Sequence, residues 1–145
     1  MMDLTKVLAV GQNAVMRKIV QKSDTAGNYT NVLNELLATP ACVAMVINAA
    51  VETIDKYLPD GYISIGYSVQ FSHTAPTSLG MTISVKTTIS EIDGHHIVLD
   101  ILAWDEMGEI GHGRHERTVV NRDALLKRAK ERTKFLVQRN LQERR

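Results

Sequence analysis

Two short segments of the sequence carry side chains that could help water attack a carbonyl group. Thr39 stands directly before Pro40 at the start of an apolar run, and His73 lies in a Phe-Ser-His-Thr-Ala-Pro segment at residues 71–76. Histidine can accept a proton near neutral pH. A threonine at the first turn of a helix places a hydroxyl beside unpaired N–H groups that can stabilise an oxyanion. Each residue alone also has an ordinary explanation, as a helix cap and as a turn residue.

A third segment, Gly-His-Gly-Arg-His-Glu-Arg at residues 111–117, is dense in histidine and arginine. In a strand, alternation would send His112 and Arg114 to one face and His115 and Arg117 to the other. A metal site would need further ligands that the sequence does not supply, and we predict no metal. Arg117 could bind a phosphate or pair with a nearby acid.

The elements that must position these residues follow from periodicity and turn signals. Thr39 as N-cap and Pro40 as first helical residue open a helix of about residues 39–58, which should be buried on most sides and which Pro59-Asp60-Gly61 ends. Segments rich in Val, Ile and Thr, separated by Gly- and Pro-containing turns, predict strands. The predicted strands are residues 13–21, 62–73, 81–92, 95–105 and 109–120, followed by a charged helix at about residues 122–139.

Composition limits the classes of protein and partner. With 145 residues and a formal net charge of +1, the chain has the size of one domain (1–145, with a core of about 10–121) and no overall charge that would attract nucleic acid or a membrane surface. Cys42 is the only cysteine, so no intrachain disulfide can form. No apolar run is long enough to span a bilayer. We expect a cytoplasmic protein.

The order of strand, long helix, four antiparallel strands and a C-terminal helix predicts an α+β hot-dog fold, in which the sheet wraps around the long helix. Such a sheet still has open edges. Pairing of two subunits across a two-fold axis would cover one edge and form a shared cleft. We therefore expect a homodimer, and a tetramer of two dimers remains open.

Several motifs together resemble the fluoroacetyl-CoA thioesterase family of hot-dog proteins, over about residues 10–130. They are Thr39-Pro40-Ala41, Gly66, Ser72-His73-Thr74-Ala75 and the segment of residues 109–117. The resemblance implies hydrolysis of a small acyl-CoA thioester without metal or cofactor, CoA being part of the substrate. It also implies that Thr39 and His73 are catalytic, His73 as general base, and that Gly66 lies near the acyl group. Apart from the resemblance, Arg117 could bind a CoA phosphate, or it could form a salt bridge with a nearby acid.

One residue departs from the family pattern. The resemblance places a catalytic glutamate two helical turns after the threonine, where this chain has Ile47. An isoleucine can be neither nucleophile nor base. Asn48 could hold the attacking water for His73 instead, and Met45, Ile47 and Phe71 could close a small apolar acyl pocket. The alternative is a non-catalytic protein that binds acyl-CoA or another small ligand.

Overall fold

The computed structural model describes residues 2–143, which form one antiparallel sheet and two α-helices. Between β1 and the first helix lies a long connection with two short 3-10 turns. The elements in chain order are β1 (Asn13–Ile19), α1 (Thr39–Ile54), β2 (Tyr62–His73), β3 (Thr82–Asp93), β4 (His96–Asp105), β5 (Gly108–Asn121) and α2 (Arg122–Glu143). The strands therefore begin and end within two residues of the positions that the sequence predicts.

The five strands follow the order β1-β3-β4-β5-β2. Tight turns join β3 to β4 and β4 to β5, and Gly94 and Gly108 supply the positive φ angles that these turns require. Since β2 is joined to β3 by a connection that crosses the sheet, β2 becomes an edge strand. It pairs with β5 along its length and has no partner on its other side within residues 2–143.

Helix α1 packs on one face of the curled sheet. Its buried side chains recur every three or four residues, and those of its central part contact Val85 of β3 and Ile101 of β4. They are Cys42, Met45, Val46, Ala49, Ala50, Thr53 and Ile54. The prediction of burial on most sides is wrong for a single subunit, because Ile47 is 40% and Val51 36% exposed on the outer face.

The ends of the helices differ from the sequence prediction in small ways. Helix α1 ends at Ile54 and continues as a 3-10 turn over Asp55–Tyr57, so the predicted end at Leu58 is close. Asn121 caps α2, since its side-chain oxygen accepts a hydrogen bond from the N–H of Ala124 at 3.0 Å. Among residues 2–143, no helix is both long and apolar enough to cross a membrane.

A substitution at Gly113 of β5 tests how closely the backbones of β2 and β5 approach each other. A Cβ at this position would come within 2.9 Å of the carbonyl carbon of Gln70 on β2. We expect Gly113→Ala to lower the free energy of unfolding by about 2 kcal/mol or more, because the backbone of Gln70 cannot yield without moving the strand. Urea denaturation measures the change.

Gly66→Ala is the matched control on the same strand pair. The nearest atom to a Cβ at Gly66 is 3.7 Å away, an ordinary contact, so its unfolding free energy should stay within about 0.5 kcal/mol of the wild type. If Gly113→Ala and Gly66→Ala unfolded at the same urea concentration, the close approach of Gly113 to the backbone of Gln70 would be contradicted.

Candidate active site

Thr39 and His73 meet at the centre of the candidate site. The Thr39 Oγ1 atom lies 2.8 Å from the His73 Nδ1 atom, within hydrogen-bond distance. Thr39 is the first residue of α1 and His73 the last residue of β2, so the contact joins two elements that are 34 residues apart in the chain. The two residues that the sequence singles out for chemistry are thus brought together within one subunit.

The start of α1 has no side-chain cap. The N-cap residue is Ala38, not Thr39 as the sequence predicts, and Thr39 is the first helical residue. Thr39 therefore directs its hydroxyl to His73 instead of to its own helix. Pro40 has no N–H, and the Ala41 N–H donates to the Ala38 carbonyl at 3.1 Å. Of these first amides, only that of Thr39 lacks an acceptor among the described residues, and it can receive an anionic oxygen.

Burial sets the protonation of His73. Desolvation lowers the pKa of His73 below its ordinary value of 6.5, so the ring is neutral at pH 7. The backbone of Ala75 partly opposes this lowering of the pKa. The Nε2 atom is buried without a hydrogen-bond partner in the described part of the chain. His73 can therefore exchange a proton with a ligand only on the side of Nδ1 and Thr39.

A cavity of about 480 Å³ opens beside this pair. One end is formed by Thr39, Pro40 and His73, and the walls come from the segment of residues 26–38 and from the turn that follows β2. These walls were not predicted, because the segment between the predicted strand of residues 13–21 and the predicted helix carries no regular hydrophobic pattern. The apolar residues just before α1, among them Leu33 and Leu36, were the signal that could have revealed them.

Gly27 allows the wall segment to fold back on itself. A Cβ at Gly27 would overlap the side chain of Asn34 and lie 2.8 Å from its Cα atom. Main-chain hydrogen bonds then fix the returning part, since Ala26 N–H donates to Leu36 O and Leu37 N–H to Thr77 O, both at 2.8 Å. The cavity is therefore bounded by ordered backbone.

The structure does not bring Asn48 to the Thr39–His73 pair within a subunit. Nine residues of helix separate Thr39 from Asn48, about 13 Å along the axis, and Asn48 is exposed on the outer face of α1. A water held by Asn48 cannot also contact His73 of the same chain. Ile47 lies on the same outer face and is absent from the cavity walls among the described residues.

The other two residues of the predicted acyl pocket lie in or beside the core. Met45 is 7% exposed, and Phe71 packs against the same cluster between α1 and the sheet. The centroid of the Phe71 ring is 6.1 Å from that of His73, and a Cβ at Gly111 would lie 2.8 Å from the Ser72 carbonyl oxygen and overlap the Phe71 ring. Phe71 therefore supports His73 from behind but does not line the cavity.

Arg117 belongs to a separate, buried network, and Gly66 lies exposed on β2 beside it. Arg117 is 3% exposed and donates from Nε to Ser64 Oγ at 2.8 Å and from Nη2 to Ser64 O at 2.7 Å. Its Nη1 lies 3.2 Å from His115 Nε2. Burial lowers the pKa of Arg117, and the charge of Asp55 partly offsets the effect. With its donors so occupied, Arg117 has no accessible guanidinium to offer a CoA phosphate.

Comparison with known proteins identifies the family. Residues 20–123 match the model of the family described as fluoroacetyl-CoA-specific thioesterase. The chain is also 30% identical to a fluoroacetyl-CoA thioesterase of Streptantibioticus cattleyicolor over 99 residues, which are 68% of this chain and 71% of that protein.

This chain belongs to the fluoroacetyl-CoA-specific thioesterase family.

Solved structures confirm the predicted hot-dog fold for this family member. The chain is similar to a hot-dog-like protein of Thermanaerovibrio acidaminovorans with a TM-score of 0.86 and 35% identity, over 90% of this chain and 97% of that one. It is also similar to a fluoroacetyl-CoA thioesterase with a TM-score of 0.80 and 25% identity, over 86% and 96% of the two chains. A third similar structure is a thioesterase superfamily member from Thermus thermophilus, with a TM-score of 0.79 and 26% identity, over 88% and 96%.

Cys42, one turn after Thr39, is a core residue in this thioesterase-family chain. It is fully buried, and burial raises the pKa of its thiol to about 12. A thiol in this state is neither a nucleophile nor a metal ligand at neutral pH.

The reactivity of Cys42 with an alkylating reagent tests this burial. At pH 8 we expect the native chain to react at least about 100-fold more slowly than the chain unfolded in guanidinium, because only the thiolate reacts. Mass spectrometry of samples taken over time gives both rates. Equally fast labelling of the native chain would mean that the helix start is open to solvent at Cys42.

Proposed function

We propose that this chain is an acyl-CoA thioesterase and that Thr39 and His73 are its catalytic residues. The observation that carries the proposal is the 2.8 Å contact between Thr39 Oγ1 and His73 Nδ1 at an uncapped helix N-terminus. A base, a hydroxyl and a free amide donor then face one cavity, and these are the groups that hydrolysis of a thioester requires. Membership of a thioesterase family supports the same reaction.

In the proposed mechanism, the thioester carbonyl oxygen accepts a hydrogen bond from the Thr39 N–H. The Thr39 hydroxyl donates to His73 Nδ1, so its oxygen can accept a proton from the attacking water as its own proton passes to the imidazole. The water oxygen bonds to the carbonyl carbon, and the anionic oxygen is stabilised at the positive end of α1. The carbon–sulfur bond then breaks, and protonated His73 returns the proton, through Thr39, to the thiolate of CoA.

This mechanism needs no carboxylate at position 47. Because Ile47 cannot take part, the proton relay through Thr39 to His73 carries the whole of the general-base catalysis in a subunit. Asn48 and Ile47 can reach a bound substrate only from a partner subunit, since both lie on the outer face of α1. We therefore assign them a contact with substrate across a dimer interface and no role inside their own subunit.

We further propose that the enzyme is a homodimer formed through β2. This edge strand is 12 residues long, and its exposed side chains include Tyr67 and Val69. A long unpaired edge is rarely left open in a stable protein. Antiparallel pairing of two β2 strands would cover it, and it would bring the outer face of α1, with its exposed Ile47 and Val51, towards the partner.

Substitution of His73 tests the catalytic proposal. We expect His73→Ala to lower kcat for acyl-CoA hydrolysis roughly 100-fold to 10,000-fold, the range typical for loss of a general base. Thr39→Val should cause a loss of similar size, whereas Thr39→Ser keeps the hydroxyl and most of the activity. Release of free thiol, followed with a chromogenic disulfide, gives the rates.

His112→Ala is the matched control, because His112 is an exposed histidine on β5 whose Nδ1 atom lies 3.3 Å from the Glu109 carboxylate and which does not line the cavity among the described residues. Wild-type rates are expected for this variant. If His73→Ala were as active as His112→Ala, the proposed mechanism would have to be abandoned.

A lysine substitution on the edge strand β2 tests whether two subunits pair through this strand. We expect the wild type to sediment with twice the mass of the chain, and Val69→Lys to shift the equilibrium towards monomer, because a charged side chain opposes edge pairing. Val32→Lys, at a site 81% exposed and outside β2, should leave the dimer intact. Sedimentation velocity distinguishes the species, and a wild type that is monomeric at micromolar concentration would refute the interface.

A further inference from the structure

We infer that helix α2 of the partner subunit binds the nucleotide phosphates of CoA beside the Thr39–His73 pair, through its Lys127, Arg128 and Lys130. The inference rests on the proposed thioesterase function and on the proposed pairing of two β2 strands. It gives a binding role to a helix that lies almost entirely beyond the match to the family model, which ends at residue 123.

The body of the protein offers the phosphates of CoA little positive charge. Residues 1–121 contain eight lysines and arginines against thirteen aspartates and glutamates, which is a formal charge of −5. The donors of the buried Arg117 are already engaged with Ser64 and His115. The phosphates of a bound CoA thioester would therefore meet a surface of the same sign unless another element supplies cations.

Helix α2 carries the opposite charge. Residues 122–145 contain nine lysines and arginines against three acidic residues, which is a formal charge of +6. The side chains of Lys127, Arg128 and Lys130 are exposed, and none of the three forms an ion pair within the part of the chain that the structure describes. Lysine and arginine are the side chains that bind phosphate groups in proteins. Three of them within four positions form a surface for an anion.

The start of α2 lies far from His73 of the same chain. The Arg122 N–H donates to the Gly61 carbonyl at 2.8 Å, directly before β2 begins at Tyr62. His73 is the last residue of β2, about 36 Å away along the strand. Lys130 is only about 12 Å along the helix axis from Arg122. The three basic side chains therefore do not reach the catalytic pair of their own subunit.

Pairing of two β2 strands brings the partner's α2 to the site. The strands run in opposite directions across the two-fold axis, so the Tyr62 end of one β2 lies beside the His73 end of the other. The pantetheine arm separates the thioester from the phosphates. The phosphates can therefore lie at the partner's α2 while the carbonyl stays at Thr39, and the site for a whole CoA thioester is complete only in the dimer.

A substrate without the nucleotide tests the inference. S-acetylpantetheine has the thioester and the arm of acetyl-CoA but no nucleotide. In a variant that combines Lys127→Gln, Arg128→Gln and Lys130→Gln, we expect KM for acetyl-CoA to rise on the order of tenfold, because each exposed charge contributes roughly a factor of two. The kcat should change less than about twofold, and kcat/KM for S-acetylpantetheine should equal that of the wild type.

The other results of this experiment separate the inference from the function. An unchanged KM for acetyl-CoA, or an equal loss with both substrates, would overturn the inference and leave the thioesterase function standing. If the wild type hydrolysed neither substrate, the function would be rejected and the inference with it.

Three basic residues at the opposite edge of the sheet supply the matched control. Lys6→Gln, Arg17→Gln and Lys86→Gln together remove the same charge from positions before β1, on β1 and on β3, the strands farthest from β2. We expect the wild-type KM for acetyl-CoA. A rise as large as that of the α2 variant would assign the effect to the net charge of the protein and overturn the inference.

A hybrid dimer shows from which subunit α2 acts. One chain carries His73→Ala with an intact α2, the other carries the three α2 substitutions with an intact His73, and two affinity tags select the hybrid. Its one competent His73 faces the intact α2 of the partner, so we expect the wild-type KM for acetyl-CoA. A KM raised as in the α2 variant, or failure to recover any hybrid, would contradict binding across the dimer.

Discussion

The hydrogen bond between Thr39 and His73 depends on two backbones that must both be fixed. On one side, the Ala38 N–H donates to the Asp24 carbonyl at 2.8 Å just before α1 begins. On the other, the Thr74 N–H donates to the Ile110 carbonyl at 2.7 Å just after β2 ends. A side-chain contact of 2.8 Å between distant elements forms only if such anchors remove the freedom of both ends, and the rest of the site is arranged around this contact.

The contact between Thr39 and His73 leaves α1 without the stabilisation that a side-chain N-cap would give. A Thr, Ser, Asp or Asn at the N-cap usually stabilises a helix by about 1 kcal/mol, whereas α1 begins after Ala38 and directs the Thr39 hydroxyl away from its own amides. Packing of the inner face of α1 on the sheet supplies the stability instead, as the full burial of Val46 and Ala49 indicates. An uncapped terminus is thereby available to a substrate oxygen.

Local sequence patterns predicted the elements well and the side-chain partners poorly. Alternating Val, Ile and Thr with glycine turns located β3, β4 and β5 because those signals are local. The role of Thr39 as a helix cap was wrong, since its partner His73 is 34 residues away. The cavity was missed for a similar reason, because the wall segment is held by Thr77 and Ser78. Leu33 and Leu36 indicate that the segment packs against something, but not that these distant residues hold it.

The nitrogen chemical shifts of the His73 ring test the central claim most directly. If the Thr39 hydroxyl donates to Nδ1, long-range proton–nitrogen NMR spectra above pH 7 should show an unprotonated, hydrogen-bonded Nδ1 and a protonated Nε2. The titration midpoint should lie below 6.5 because burial disfavours the charged ring, and Thr39→Val should shift the Nδ1 resonance. A proton on Nδ1, or a spectrum unaffected by Thr39→Val, would contradict the account.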